Sequence, residues 1–249
     1  VAGPLILSAF SVTRFGWRGG YWAVAAIEAA LFCAMVFTLP RWTKKAPVRA
    51  RAASSSGTAG RIRVSGKKIC MAGQFFLYCS MENSVMLWGA SYLVAAKSID
   101  AALAAQGVSL FFLGITVGRF LGGIAAEKIG NGKMIAASVL MAVLLDIALA
   151  IGTGTAMILA VFLLLGCFMA PIYPAMLHQT PALFPKENLH MLMGIQLASA
   201  YVGILVVPSS LGKLFSTVGF AVLPFVQAAG LAGVLLCVTL LTRKTKEDG

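Results

Sequence analysis

The sequence predicts an all-α fold, a multi-pass bundle of membrane-spanning helices, from three observations. Hydrophobic residues make up 59% of the chain and charged residues only 11%, with a mean hydropathy of +0.90, whereas a soluble domain is about a quarter charged. The apolar residues fall in runs near or above the roughly 20 that cross a bilayer as helix. Lysine and arginine collect in alternate connections between those runs, the distribution left by loops that stay on the cytoplasmic side.

In chain order, Val1 to Val12 is apolar but too short to span. With no initiating Met and no basic stretch ahead of it, it reads as the tail of a helix that starts upstream rather than as a signal peptide, so the chain is expected to be a fragment. The full spans are Tyr21 to Leu39, Ile69 to Ala96, Ala101 to Arg119, Met134 to Ile151, Thr155 to Leu177, Leu189 to Leu211 and Phe220 to Leu241. Residues 1–39 form one part, 40–68 a linker, 69–242 a six-helix part and 243–249 a tail.

The linker contains PVRARAASSSGTAGRIRVSGKK, small, polar and basic with almost nothing to bury, and is expected to be a flexible tether. Its basic residues could also contact anionic lipid. One set of alternate connections holds the linker's bases together with Lys128, Lys133, Lys186, Arg243, Lys244 and Lys246; the other holds only Arg14, Arg18, Lys97 and Lys213. That bias places the linker and the C-terminus in the cytoplasm, with the protein in the cell membrane. It also accounts for the net charge of +12 without nucleic acid.

Catalytic chemistry finds little footing. Cys33, Cys70, Cys79, Cys167 and Cys237 lie in or beside apolar helices with no CxxC pair, and His178 and His190 flank a proline-bearing helix end, where hydrogen bonding fits better than a shared metal. GNGK lacks the strand and the spacing of a phosphate loop. No cofactor, metal site or enzyme activity is expected.

Polar groups within the spans point elsewhere, because an ionisable side chain inside a membrane usually marks a pathway or an ion pair. Glu82 stands near the middle of its span in MENSVMLWGASYL, with Tyr78 a turn before it, Asn83 beside it, and Trp88 and Tyr92 following. Carboxylate and amide groups hydrogen-bond hydroxyls while an aromatic ring stacks on the apolar face of a sugar, so Glu82, Asn83, Trp88 and Tyr92 are candidate ligands for a polar, ring-shaped solute. Tyr92 also suits an interfacial anchor. Gln196 adds a strong hydrogen-bonding group deep in its own span, whereas Asp146 and Glu28 suit packing or neutralisation.

Gly114, Gly118 and Gly122 recur every four residues and form a smooth ridge for another helix, either a static seam or a sliding surface. Pro171, Pro174, Pro181 and Pro185 predict bends through APIYPAMLHQTPALFP. The stretch GRFLGGIAAEKIGNGK sets Arg119, Glu127, Lys128 and Lys133 among five glycines, where one helix leaves the membrane and the next enters.

Within that stretch, Gly123, Glu127, Lys128 and Gly130, followed by Lys133, resemble the loop motif between the eighth and ninth helices of the major facilitator superfamily. Glu127 stands where Asp is commoner, and Asn131 interrupts the following basic pair. GWR at Gly16 to Arg18, the basic linker, MENSVMLWGASYLV, FFLGITVGRFLGG and the proline-rich segment keep the order of the family's fucose permease branch across nearly the whole chain. The resemblance implies an incomplete major facilitator fold: the end of helix five, helix six and the whole second half, with the N-terminal half missing. It further implies secondary transport by alternating access, with proton-coupled import of a fucose- or hexose-like sugar as the expectation. Glu82, Asn83, Trp88 and Gln196 would face the cavity. Arg119, Gly123, Glu127, Lys128, Gly130 and Lys133 would form the gate. A drug or metabolite exporter is the alternative, and a seven-helix receptor or sensor the rival from another class.

Overall fold

The computed structural model describes residues 16–43, 65–185 and 188–247, without the side chains of residues 16–17, 39–43, 127 and 243–247. The expected Val1 to Val12 tail, most of the Pro40 to Lys68 linker, Lys186 and the Glu127 side chain lie outside what is described. Two units divide the chain, Val1–Arg63 and Val64–Gly249. The first contains α1 (Gly16–Thr43), whose apolar residues stay open, with Trp22 77% and Phe37 82% exposed.

The second unit contains α2 (Gly66–Lys97), α3 (Ala101–Ile129), α4 (Asn131–Ile151), α5 (Thr155–Met169), α6 (Ile172–Leu183), α7 (Leu189–Val218), a 3-10 turn (Phe220–Val222) and α8 (Leu223–Glu247). By length and composition, six stretches suit a membrane crossing: Arg18–Thr38, Ala101–Ala126, Asn131–Ile151, Thr155–Leu183, Leu189–Val218 and Phe220–Thr242. At 32 residues α2 is long enough as well, but Gln74, Ser80, Glu82, Asn83 and Ser84 dilute its apolar run. Its position explains how it tolerates them. It packs on α3, α6, α7 and α8, so Gln74, Ser80 and Ser84 are buried within protein rather than against lipid. The outer surface is the reverse, with Phe120, Ile151 and Leu205 each more than 70% exposed. Such a surface would be a liability in water and is what a bilayer requires.

Three local features set the geometry. Asp100 caps α3, accepting a hydrogen bond from the Ala102 N–H at 2.9 Å. From there the helix runs to Ile129, about ten residues beyond the expected end at Arg119, so most of the glycine-dense stretch is helix rather than loop. Glycine is normally costly inside a helix, but here it pays structurally: a Cβ on Gly114 or Gly118 would strike the α5 backbone at Leu163 O or Cys167 O, and one on Gly122 would lie 2.5 Å from Pro171. Gly166 on α5 returns the fit against Phe111 O. The α3 to α4 turn is Gly130 alone, at φ 81° and ψ 149°, a left-handed conformation that side chains other than glycine resist.

The expected span Thr155 to Leu177 lies within the single apolar stretch Thr155–Leu183, which is divided into two helices at Ala170 and Pro171 because Pro171 has no N–H to continue the ladder. Pro174 falls in the first turn of α6, where no intrahelical donor is needed. Pro181 lies near the end of α6 and Pro185 follows it.

Candidate functional site

Glu82 projects from the middle of α2 toward α3, and its carboxylate Oε1 lies 3.7 Å from Nη2 of Arg119. The Glu82 side chain is 13% exposed and that of Arg119 57%, so the acid is enclosed and the base open. At this separation the charges attract without a seated hydrogen bond, and Oε1 has no hydrogen-bond partner. The sequence points to Glu82 as a ligand and to Arg119 as part of the gate; the fold puts them side by side.

Two tyrosines complete the surroundings. Tyr78, one turn before Glu82, is fully buried and donates its hydroxyl to the Met169 carbonyl at 2.8 Å, satisfying an acceptor beside the α5 to α6 break. Tyr173, at the start of α6, meets Phe75 edge-on with centroids 5.4 Å apart and lies 6.5 Å from the Tyr78 ring. Both phenols are within electrostatic reach of Glu82 and Arg119. Tyr173 escapes a reading of the sequence because it is hidden in a proline-rich segment that signals only bending.

On its other side Arg119 borders a cavity of about 530 Å³, together with Gly122, Gly123, Asn131, Pro171, Pro174 and His178. That volume is within the range of ligand pockets. Gly123 leaves open space where a Cβ would be, and Asn131 is the first residue of α4. His178, read from sequence as a helix-end hydrogen bonder, is exposed on this cavity.

The remaining candidates are dispersed. Asn83 is half-buried beside Glu82. Trp88 Nε1 donates to the Pro208 carbonyl at 2.9 Å, and its ring packs against Phe215 and Phe220, on the α7 side of α2. Tyr92 is 1% exposed and donates to the Leu149 carbonyl of α4 at 3.0 Å. Gln196 is buried, its Nε2 donating to Thr180 Oγ1 at 2.6 Å, a link from α7 to α6 that leaves Oε1 without a partner. Asp146 is buried on α4 near Tyr92, with Oδ2 unpaired, while Glu28 is exposed on α1. Lys128 and Lys133 are exposed on either side of Gly130. No cluster of three His, Cys, Asp or Glu that could hold a metal occurs among the described residues.

Comparison with known proteins gives two findings. Residues 70–249 match the family model described as Major Facilitator Superfamily. The fold is similar to a crystal structure of a major facilitator superfamily transporter, FucP, in the outward conformation, with a TM-score of 0.63 at 18% sequence identity. The similarity covers 74% of this chain and 44% of that one, so the chain spans less than half the length of that transporter. No curated protein matches the sequence.

Proposed function

The chain belongs to the major facilitator superfamily, and from that premise we propose that it is part of a secondary transporter that imports a hexose-sized sugar by alternating access, driven by a proton gradient. The observation that carries this reading is the Glu82 and Arg119 pair, an acid and a base facing each other inside a bundle otherwise clad in apolar side chains. Charges in that position are retained at a cost and mark a pathway. The cavity beside them offers Arg119, Asn131 and His178, groups that suit a polar solute and would be wasted on an apolar drug.

Arg119 links binding to movement. It stands on α3 four residues before Gly123, on the helix whose glycine ridge lies bare against α5 and whose end turns at Gly130. A shift of α3 along that ridge would change the distance between Arg119 and Glu82 and simultaneously move Lys128 at its end relative to Lys133 on α4. The two states would then differ in their charge contacts, which is what lets a ligand bias them. Under this proposal the basic connections face the cytoplasm, and an N-terminal half supplies the opposite cavity wall.

The test is uptake of a panel of labelled hexose-sized sugars by the full native protein in lipid vesicles under an imposed inward proton gradient. Accumulation that collapses with the gradient supports symport; uptake indifferent to it removes proton coupling. Glu82→Gln keeps the shape of the side chain and removes its charge, so it should abolish binding or coupling, and wild-type transport by that variant would take Glu82 out of the site.

A further inference from the structure

We infer that the sugar recognised at this cavity carries a carboxylate, making the ligand a sugar acid rather than a neutral hexose; the inference rests on the transport reading above. Arg119 has more donors than acceptors to meet them. Its guanidinium presents five donors in one plane, yet among the described residues its only close charged partner is Glu82 at 3.7 Å, too far for a hydrogen bond. More than half of its side chain is open, and it forms part of the cavity wall. A carboxylate is the group that matches such a fork with two parallel hydrogen bonds.

The rest of the wall points the same way. Asn131 and His178 add side-chain donors, and no described lining residue is acidic. Because α4 begins at Asn131, its first-turn N–H groups, which have no partner within the helix, favour negative charge at the same end. Pro171, Pro174 and Ala175 provide an apolar face for a sugar ring. Charge limits the ligand to a monoanion. Glu82 and Arg119 together are neutral, so a sugar carboxylate leaves the site with one net negative charge, whereas a phosphate ester would leave it with about two in surroundings that penalise it.

The test uses the full native protein purified in neutral detergent, with equilibrium binding of labelled D-glucuronate and D-glucose and with inorganic phosphate as competitor. Glucuronate should bind at least tenfold more tightly than glucose. Arg119→Met should erase that margin, and Arg119→Lys should restore part of it by returning the charge without the fork. Glucose bound as tightly as glucuronate in the wild type overturns the inference and leaves the transport reading standing. A margin untouched in Arg119→Met removes Arg119 from recognition, and phosphate displacing glucuronate more effectively than unlabelled glucuronate does overturns the choice of carboxylate. Failure to bind or take up any hexose-sized sugar overturns the transport reading itself. The wild-type comparison needs no variant and so stands even if Arg119→Met does not fold.

Discussion

Replacing Gly118 with alanine adds one methyl group where α3 lies directly against the α5 backbone. That methyl would land on the Cys167 carbonyl oxygen and lie 2.8 Å from the carbonyl carbon and Cα of the same residue. All three obstacles are backbone, so no rotamer change relieves the clash and α3 must back away from α5 along the ridge. Overpacking of this kind costs about 1–3 kcal/mol, and rigid backbone obstacles place it at about 2–3 kcal/mol, against roughly 1 kcal/mol gained by exchanging helical Gly for Ala, for a net loss of about 1–2 kcal/mol. Gly123→Ala is the internal control. It lies five residues later on the same helix with nothing within 4 Å of the added methyl, so it should gain about 0.5–1 kcal/mol. Unfolding in mixed micelles titrated with sodium dodecyl sulfate, followed by far-UV circular dichroism, measures both. A Gly118→Ala protein as stable as the wild type, or two variants that shift equally, would refute the claim that backbone contact holds these helices together.

Two further substitutions probe the polar interior. Tyr78→Phe removes the hydroxyl that satisfies the Met169 carbonyl next to the α5 to α6 break and should cost about 1–3 kcal/mol in the same unfolding assay, since a buried acceptor is left unpaired; an unchanged midpoint would show that another group takes over that carbonyl. Thr180→Val strands the buried Nε2 of Gln196, while Thr180→Val combined with Gln196→Leu removes both partners, so the double variant should be more stable than the sum of the two single losses by about 0.5–2 kcal/mol. Strict additivity would mean that the bond between α6 and α7 contributes nothing.

Much of this structure is legible before any coordinates because membrane helices obey one dominant rule: every backbone polar group must be satisfied within the segment, so long apolar runs become helices. The ends are less legible. The extension of α3 past Arg119 runs through glycines that normally warn of a loop, and only the neighbouring α5 backbone explains why they persist in a helix. Pro171 announces a bend, but not that the Tyr78 hydroxyl would reach across to cover a carbonyl beside it. The five candidates on α2 and α7 illustrate the same limit from another side. Their chemistry is readable as polar groups in apolar spans, yet Trp88 and Tyr92 face different partners from Glu82, and that depends on which helix packs on which side of α2.

By itself the sequence determined the all-helical class, the positions of the apolar spans, the resemblance to the family and the presence of charge where lipid would reject it, because composition and hydropathy act locally along the chain. Only the tertiary structure decided that Glu82 and Arg119, 37 positions apart and read as belonging to separate tasks, stand 3.7 Å from each other on a shared site. The reason is physical. Which charges meet inside a bundle depends on how closely two helices approach and at what rotation, and both are set by packing between surfaces that no single stretch of chain contains.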